Sequence, residues 1–369
     1  MSKSILLVAG EVSGDMHGAD LVKALRSQDE NLSFLGLGGD AMQRQDVKLL
    51  EHTNQLSVMG FSEVIFKIFF FKKLIRRIKK IVNEEQPMAI ILIDYPGFNL
   101  RLAKKLNKSS VPIYYYIPPK LWAWKKNRIK YLRKYIKKLF VIFPFEYDFY
   151  KKQNLNVEYA GNPLVQQISN LEEKEIIWKA EYKVALLPGS RLQEIKKILP
   201  IMLDVTEKLI KHNISYIIAA PNKHIANEIS KYPQAKDLRL IIDDTLSVVK
   251  HADVAIITSG TATLEAALLD TPHLLVYRTS RITFWLAKKF LKLKYIGLVN
   301  IILQKTACIE LIQNQLTSEN LSKELEKLLL HKENKEKMSI EFRKLRELLG
   351  SQLSSDIIAK SILESNRLN

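Results

Sequence analysis

The stretch Val254–Arg278, VAIITSGTATLEAALLDTPHLLVYR, decides the fold of this protein. Val254–Thr258 is apolar or β-branched and predicts a buried strand, and Ser259–Thr261 then predicts a turn. Ala262–Leu269 consists mostly of strong helix formers, and His273–Tyr277 predicts a second short strand. A strand, a turn, a helix and a strand in this order are typical of an α/β protein with a parallel sheet.

The turn of this unit offers a place for an anion. Ser259, Gly260 and Thr261 stand where the helix begins, and the first N–H groups of a helix have no partner within it. These donors and the positive end of the helix dipole suit a phosphate. Glu265, one helical turn later, is placed to accept hydrogen bonds from a ribose. The same residues also fit an ordinary helix that is capped by Ser259 or Thr261, with Glu265 in solvent.

The composition indicates a globular protein with an anionic partner. The 369 residues predict two or three domains, and the formal net charge is +18. Nucleic acid, a phosphorylated ligand and an acidic membrane surface all fit that charge. Cys308 is the only cysteine, so no disulfide within the chain is expected. Because no signal peptide and no membrane-spanning run is evident, we expect a cytoplasmic protein whose membrane contact is limited to the surface.

Predicted strands alternate with predicted helices over both halves of the chain. Besides the two strands above, apolar runs predict strands at 4–9, 34–37, 88–93, 113–117, 139–143, 183–187, 216–220 and 238–242. The expected fold class is α/β, with two Rossmann-like, doubly wound parallel sheets and a C-terminal helical tail. We expect an N-terminal domain at 1–168 and a C-terminal domain at 169–345. The tail at 346–369 would pack on the first domain or on a second subunit.

Two turns in the first half follow predicted strands at the edge where parallel sheets bind ligands. Gly10–Asp15 follows the first strand, but its spacing is not that of the G-x-G-x-x-G dinucleotide fingerprint. Asp94 follows the strand at 88–93 and is a candidate general base, although it also fits a cap for a helix at 100–106. A hydrolytic triad of Ser13, His17 and Asp94 is disfavoured, because the G-x-S-x-G motif is absent.

Residues 58–82 combine bulky apolar side chains with a dense series of basic ones. On a helix, this pattern is typical of segments that lie in a membrane interface. Packing of the phenylalanines on the sheet is the alternative. We expect part of the apolar stripe to be core and the rest to face lipid or acyl chains, and the side chains concerned are Ile65, Phe66, Phe69, Phe70 and Phe71.

A second turn with phosphate-binding chemistry lies in the C-terminal half. Pro188–Arg191 follows the strand at 183–187 and offers free backbone amides together with a guanidinium group that can grip a phosphate with two hydrogen bonds. With the turn at Ser259, it predicts a site for a diphosphate and its ribose. Neither turn is a Walker A loop, and no cysteine–histidine spacing typical of a metal site occurs.

An ordered set of sequence blocks resembles a known family over nearly the whole chain. The blocks are GEVSGDMHGA (10–19), VMGFSEV (58–64), IDYPGFN (93–99), PPKLWAWKKNR (118–128), PFE (144–146), GNPL (161–164), LLPGSRLQEI (186–195), SGTATLEAALLDTP (259–272), FWLAKK (284–289) and GLVNII (297–302). They resemble the lipid-A-disaccharide synthases. These are bacterial glycosyltransferases whose two Rossmann-like domains face each other across a cleft, an arrangement called GT-B.

The resemblance implies a specific reaction. A 2,3-diacylglucosamine would pass from UDP to the 6-hydroxyl of 2,3-diacylglucosamine 1-phosphate, with inversion at the anomeric carbon and without a metal or another cofactor. The enzyme would act at the anionic cytoplasmic face of the inner membrane as a peripheral protein, either as a monomer or as a homodimer.

The resemblance also implies roles for individual residues. Asp94 and Ser13 would be catalytic. Glu11 and Asn300 would contact the acceptor or line the cleft, with Asn300 in the segment over the cleft. Gly97 stands where the family often has an acidic or polar residue, so Asp94 is the only carboxylate of its loop, which favours Asp94 and disfavours a scheme with two carboxylates. The implied UDP site consists of Gly189, Ser190, Arg191, Glu194, Ser259, Gly260, Thr261 and Glu265.

Two other classes of protein fit part of the sequence. Another GT-B enzyme that uses a UDP-sugar, such as an epimerase or a murein glycosyltransferase, would share the diphosphate site but lack the blocks at 58–64 and 118–124. A nucleic-acid-binding protein fits the net charge and the basic segment 125–138. That segment lacks the aromatic stacking platform of RNA-binding proteins, so we expect no nucleic-acid partner.

Overall fold

The structure, a computed structural model, describes residues 3–56, 64–122, 126–172, 174–209, 213–280, 284–285 and 294–367. The chain divides into two compact units. Unit 1 comprises Met1–Pro163 and Ser351–Asn369, and unit 2 comprises Leu164–Gly350. The C-terminal segment therefore returns to the unit in which the chain begins.

Each unit is built on one parallel sheet. The strands in the described part of the chain are β1 (Ser4–Ala9), β2 (Ser33–Gly38), β3 (Lys48–His52), β4 (Ala89–Ile93), β5 (Ile113–Tyr116), β6 (Lys138–Val141), β7 (Val157–Tyr159), β8 (Tyr182–Leu187), β9 (Ile214–Ala220), β10 (Arg239–Ile242), β11 (Val254–Thr258), β12 (His273–Tyr277) and β13 (Glu310–Ile312). Their order is β3-β2-β1-β4-β5-β6-β7 in unit 1 and β10-β9-β8-β11-β12-β13 in unit 2. Both orders are those of doubly wound α/β folds, as predicted.

Helices connect the strands. Those described are α1 (Val12–Gln28), α2 (Asp40–Gln43), α3 (Thr53–Leu56), α4 (Val64–Glu85), α5 (Pro96–Lys105), α6 (Ile129–Tyr135), α7 (Pro144–Lys151), α8 (Pro163–Ser169), α9 (Leu192–Lys208), α10 (Lys223–Ile229), α11 (Thr245–Lys250), α12 (Thr261–Leu268), α13 (Leu298–Leu303), α14 (Ser318–Leu330), α15 (Lys332–Leu349) and α16 (Ser354–Arg367). Short 3-10 turns add to these at 126–128, 233–237 and 313–315.

The strands are apolar on both faces because helices cover both faces of a doubly wound sheet. Along β1, Leu6 and Val8 pack in a core with side chains of α4, α5 and α6. The intervening Ile5 and Leu7 pack on the other face with side chains of α1 and α16. The continuous apolar run of β1, rather than an alternating one, follows from this double coverage.

The C-terminal helix α16 packs against α1 within unit 1. The hydroxyl of Ser354 donates to the carbonyl oxygen of Gly161 at 2.9 Å, and the hydroxyl of Ser361 donates to the carboxylate of Glu158 at 2.8 Å. These polar contacts join the last helix to the segment around β7. Unit 1 is therefore completed by residues from both ends of the chain.

Most predicted elements agree with the structure, and the differences have local causes. The strands at 254–258 and 273–277 are confirmed to the residue. The sequence does not predict β3, β7 or β13, which are short and carry charged side chains. The first helix begins at Val12, directly after Glu11, which has the extended backbone of an N-cap.

Candidate active site

The two sheets place the predicted site residues at equivalent positions. The strand order changes direction between β1 and β4 in unit 1 and between β8 and β11 in unit 2. At such a switch point the connections leave toward opposite sides, which opens a crevice beyond the carboxyl ends of the strands. Gly10 and Asp94 directly follow β1 and β4, and Pro188 and Ser259 directly follow β8 and β11. Each unit therefore has its candidate turns at one crevice.

The start of α1 presents an exposed surface at the crevice of unit 1. The side chains of Glu11 and Ser13 are exposed, and Glu11 makes no side-chain cap hydrogen bond to the helix. Gly10, just before them, lies directly under the ring of Tyr95, since a Cβ atom at this position would lie 2.2 Å from Cδ1 of Tyr95. The turn after β1 and the turn after β4 are therefore in direct contact.

Three residues with strained backbones lie at the same crevice. Asp94 and Tyr95 both have left-handed backbones, with φ of 44° and 46°. Ile117, which follows the neighbouring strand β5, has φ of 57° and precedes a proline. Such residues cost on the order of 1–3 kcal/mol each and persist where surrounding contacts impose them, most often at functional sites. A β-branched residue in this region is especially unusual.

Neighbouring side chains hold Asp94 by its backbone carbonyl group and not by its carboxyl group. The carbonyl oxygen of Asp94 accepts hydrogen bonds from the hydroxyl of Tyr115 and from Nδ2 of Asn99, both at 2.7 Å. Both side chains are buried. Tyr95, not Asp94, is the N-cap of α5, so the alternative that Asp94 caps this helix is wrong.

The electrostatic surroundings of Asp94 suit a proton acceptor. Burial raises the pKa of the Asp94 carboxyl, and the negative charge of Glu11 raises that pKa further. The Lys120 ammonium and the Tyr95 backbone N–H act in the opposite direction. A carboxylate with a raised pKa accepts a proton more readily, as a general base must. Glu11 is therefore a second carboxylate whose charge acts on Asp94, and it comes from a different loop.

Two titratable residues of the block at 10–19, Asp15 and His17, are in different environments from that of Asp94. Asp15 is buried and accepts hydrogen bonds from the backbone N–H groups of Gly39, Ala41 and Met42 at 2.6, 2.9 and 3.0 Å. It therefore caps the start of α2. Burial lowers the pKa of His17 to about 4, so its imidazole is neutral at neutral pH.

The loop after β8 contains its own carboxylate. Oε2 of Glu194 accepts hydrogen bonds from the backbone N–H groups of Ser190 and Arg191 at 3.1 and 3.2 Å. The prediction that these amides are free is therefore wrong, because Glu194 occupies them as part of the cap of α9. Gly189 has φ of 122°, and a Cβ atom there would lie 2.6 Å from that same carboxylate oxygen.

Arg191 keeps an accessible charge despite this cap. Its guanidinium group donates to Oε1 of Glu194 at 3.2 Å, while 79% of the arginine side chain is exposed. A guanidinium group has five N–H donors, so one hydrogen bond leaves most of them for an anion. Glu194 orients the Arg191 side chain, and Arg191 is the candidate residue for direct contact with the ligand.

The loop after β11 is open by contrast. Gly260 is the N-cap of α12, and no side chain caps the helix, which disfavours the capping role considered for Ser259 or Thr261. Gly260 and Thr261 are exposed, and Ser259 is partly exposed. The first N–H groups of α12 therefore remain available to an anion. Burial raises the pKa of Glu265, and a hydrogen bond with the Thr261 side chain opposes that rise.

Asn300 is engaged within unit 2. It is 1% exposed, and its Nδ2 donates to the carbonyl oxygen of Cys308 and to the carboxylate of Glu310, both at 2.8 Å. Its Oδ1 accepts from the N–H groups of Ala307 and Cys308. These contacts fix the turn before β13. A role for Asn300 at a ligand stays a prediction, and its surroundings make that role an indirect one.

The side chains of α4 that were predicted to face lipid differ in their exposure. Phe69 is 65% exposed. Phe70 and Phe71 are partly buried and pack against the core of unit 1. The side chains of Ile65 and Phe66 lie outside the part of the chain that the structure describes. None of the described helices is long and apolar enough to cross a membrane.

Three further residues, Lys120, Trp122 and Glu146, lie near the crevice of unit 1. The sequence did not indicate them as site residues. Lys120 follows β5, and Nε1 of Trp122 donates to Oε1 of Glu146 at 2.9 Å. Glu146 is 2% exposed, and burial raises its pKa to about 7. The available signal was their place in the blocks PPKLWAW and PFE, each directly after a predicted strand.

Comparison with known proteins gives a match over almost the full length. The sequence model of the family described as lipid-A-disaccharide synthetase matches residues 5–362. A lipid-A-disaccharide synthase from Myxococcus xanthus is 34% identical over 370 residues, covering 98% of this chain and 97% of that protein. The corresponding protein from Syntrophus aciditrophicus is 35% identical over 361 residues, covering 95% and 94%.

Solved structures support the fold. The UDP-GlcNAc 2-epimerase from Neisseria meningitidis, bound to UDP-GlcNAc, has a TM-score of 0.66 at 14% identity and covers 98% of this chain and 100% of its own. The glycosyltransferase of kitacinnamycin has a TM-score of 0.65 at 13% identity, with coverage of 98% and 100%. At such identities the likeness concerns the fold alone, and it agrees with the predicted GT-B architecture.

Proposed function

The chain belongs to the lipid-A-disaccharide synthetase family and is a glycosyltransferase of lipid A synthesis, and we propose that its two crevices divide the reaction between them. The donor is a UDP-linked diacylglucosamine and the acceptor a diacylglucosamine 1-phosphate. Two observations carry this division: unit 1 contains the strained, partly buried Asp94, and unit 2 contains the uncapped helix start of α12 and the exposed Arg191. The full-length family match favours this reaction over that of the epimerases, which share the fold at low identity.

Unit 2 binds the donor in this proposal. The diphosphate of UDP carries negative charge that grows at the leaving oxygen as the sugar departs. Arg191 and the N–H groups at the start of α12 supply positive charge and hydrogen bonds for it. Ser259, Gly260 and Thr261 form the turn that admits the phosphates, because small residues allow close approach to the backbone. Glu265 accepts a hydrogen bond from the ribose.

Unit 1 activates the acceptor. Asp94 takes the proton of the 6-hydroxyl while the oxygen forms a bond to the anomeric carbon of the donor. The bond from that carbon to UDP breaks, and its electron pair leaves with UDP. Attack from the face opposite the leaving group inverts the anomeric configuration. Ser13 and Glu11, both exposed at the same crevice, contact the acceptor sugar.

The reaction is tested by transfer of labelled sugar. The full-length chain with detergent-dispersed UDP-diacylglucosamine and diacylglucosamine 1-phosphate is expected to form a disaccharide 1-phosphate and UDP in equal amounts. UDP-GlcNAc is the control donor, and mass spectrometry of the products separates transfer from epimerisation. Epimerised sugar without disaccharide would contradict the proposal.

The charge of Glu11 predicts a shift in pH dependence. A general base works in its deprotonated form, so kcat falls as the pH drops through the raised pKa of Asp94. Glu11→Gln removes the negative charge that raises this pKa. The acid limb of the kcat profile is therefore expected to move to lower pH in this variant. Glu51→Gln, on β3 at the sheet edge, is the control, and an unmoved limb in Glu11→Gln would exclude this coupling.

The surface of α4 predicts membrane binding through Phe69. We propose that this exposed side chain and the lysines around it contact anionic lipid, because Lys72 lies 5.6 Å from the ring centre of Phe69. Phe69→Ser is expected to weaken binding to vesicles that contain phosphatidylglycerol, as seen by flotation, and to leave the melting temperature unchanged. Phe71→Ser, which removes a core contact, is expected to lower the melting temperature. Undiminished flotation of Phe69→Ser would contradict the proposal.

A further inference from the structure

The segment that follows β5 is anchored immediately before and after Lys120. The hydroxyl of Tyr150 donates to the carbonyl oxygen of Pro119, which also accepts from the backbone N–H of Leu121 at 2.7 Å. Leu121 is 1% exposed, whereas Lys120 is exposed. The backbone around Lys120 is therefore fixed, and its side chain is the one that leaves the segment toward solvent.

A buried carboxyl group secures the far side of this segment. Nε1 of Trp122 donates to Oε1 of Glu146, and the indole packs edge-on against the ring of Phe145, with ring centres 4.9 Å apart. Glu146 is 2% exposed and belongs to the first turn of α7, directly after β6. A buried carboxyl group is costly unless it is hydrogen-bonded, and the indole N–H meets this need, so the contact fixes Trp122 beside the segment that carries Lys120.

Lys120 stands among carboxyl groups at the crevice of unit 1. Its positive charge acts on both Asp94 and Glu146, and Glu11 adds a further negative charge near Asp94. Within the described part of the chain, no residue forms a hydrogen bond or a salt bridge with the Lys120 ammonium group. An acceptor that carries a phosphate would be repelled by Asp94 and Glu11 unless a cation at the same place compensated.

We propose that Lys120 binds the phosphate of the acceptor sugar and that Glu146, acting through Trp122, is a positioning residue that holds Lys120 at the crevice. This inference rests on the proposed function, because it takes the acceptor to be a sugar 1-phosphate. A lysine ammonium is a compact charge with three donors and suits a phosphate that presents one or two oxygens. The role is one of acceptor selection, distinct from proton removal by Asp94.

The test compares two acceptors, diacylglucosamine 1-phosphate and the same sugar without its phosphate. Lys120→Ala is expected to raise the KM for the phosphorylated acceptor by about tenfold or more, as expected for the loss of a hydrogen bond between charged groups. At a pH above the acid limb of the kcat profile, where Asp94 is deprotonated in both proteins, the KM for the donor and the kinetics with the dephosphorylated acceptor should stay unchanged, although the loss of the Lys120 charge raises the pKa of Asp94. Lys120→Arg should retain most of the preference, and Lys48→Ala, on the edge strand β3, should retain all of it.

The positioning role of Glu146 has its own readout. Glu146→Ala is expected to raise the KM for the phosphorylated acceptor without changing the KM for the donor, and Glu146→Gln, whose amide oxygen still accepts from Trp122, should behave almost like the original protein. The double variant Lys120→Ala/Glu146→Ala should be no worse than Lys120→Ala alone, because both changes remove the same contact. Equal losses with both acceptors in Glu146→Ala would overturn the positioning role.

The outcomes separate this inference from the proposed function. If the original protein transfers sugar and Lys120→Ala keeps the full preference for the phosphorylated acceptor, the assignment of Lys120 is wrong and the proposed function stands. If the original protein transfers to neither acceptor, the proposed function itself is wrong.

Discussion

Asp94→Asn is expected to lower kcat by about 10²–10⁴-fold, the usual contribution of a general base. Asparagine has nearly the same shape and still accepts a hydrogen bond from a backbone N–H, but it cannot take the proton of the acceptor hydroxyl. The backbone contacts from Tyr115 and Asn99 do not involve the changed group. Turnover is measured at saturating donor and acceptor, and UDP binding is measured by calorimetry.

The control for Asp94→Asn is the same change at an exposed carboxylate. Asp46, whose side chain is 89% exposed, lies on the surface of unit 1 and pairs with Arg26 at 3.7 Å. Asp46→Asn is expected to leave kcat and UDP affinity unchanged. If UDP affinity collapsed in Asp94→Asn while turnover per bound donor did not fall, Asp94 would not be the base.

Arg191→Ala is expected to lower kcat/KM for the donor by about 10²–10³-fold, the range for one lost charge-stabilising donor. The fold of the loop should survive, because the carboxylate of Glu194 still accepts from the backbone N–H groups of Ser190 and Arg191. The kcat/KM of Arg191→Lys for the donor should lie between those of the original protein and Arg191→Ala, since an ammonium group carries the charge but not the planar pair of donors. Steady-state kinetics with the UDP-sugar at fixed acceptor measures both.

Arg343 provides the matched control for Arg191, because it is an exposed arginine on α15 of the same unit. Arg343→Ala should leave donor kinetics unchanged. If Arg191→Ala matched the control, the charge of the diphosphate would have to be met by the start of α12 alone. A fall in UDP affinity without a fall in kcat would instead limit Arg191 to ground-state binding.

The larger part of the fold was predictable because its signals are local. The apolar runs at β1, β4, β8, β11 and β12 mark strands buried on both faces, and the small residues after them mark turns. Since all strands are parallel, these turns collect at one edge of each sheet, and this arrangement alone predicts Asp94, Arg191 and Ser259 near crevices. Short edge strands such as β3 and β13 were not predicted, because their charged side chains interrupt the apolar run that indicates a strand.

Within the candidate site, contacts between distant segments were not predictable. The hydrogen bond from Trp122 to Glu146 joins turns after two different strands, and the ring of Tyr95 rests on Gly10 from another turn. Even inside one loop, the sequence did not reveal that Glu194 takes the amides of Ser190 and Arg191. Whether a carboxylate caps a helix or meets a ligand depends on its rotamer and on the space beside it.

The amino-acid sequence by itself determined the buried strands, the family and the turns that carry the chemistry, because hydrophobic periodicity and turn residues act over a few positions. Only the tertiary structure decided which groups in those turns are free. The first backbone N–H groups of α12 are available to a ligand, whereas Glu194 occupies those at the start of α9. Asn300 is buried. The C-terminal helix α16 packs against α1. These outcomes depend on packing and hydrogen bonds between residues far apart in the chain, and such contacts leave no periodic signal in a single sequence.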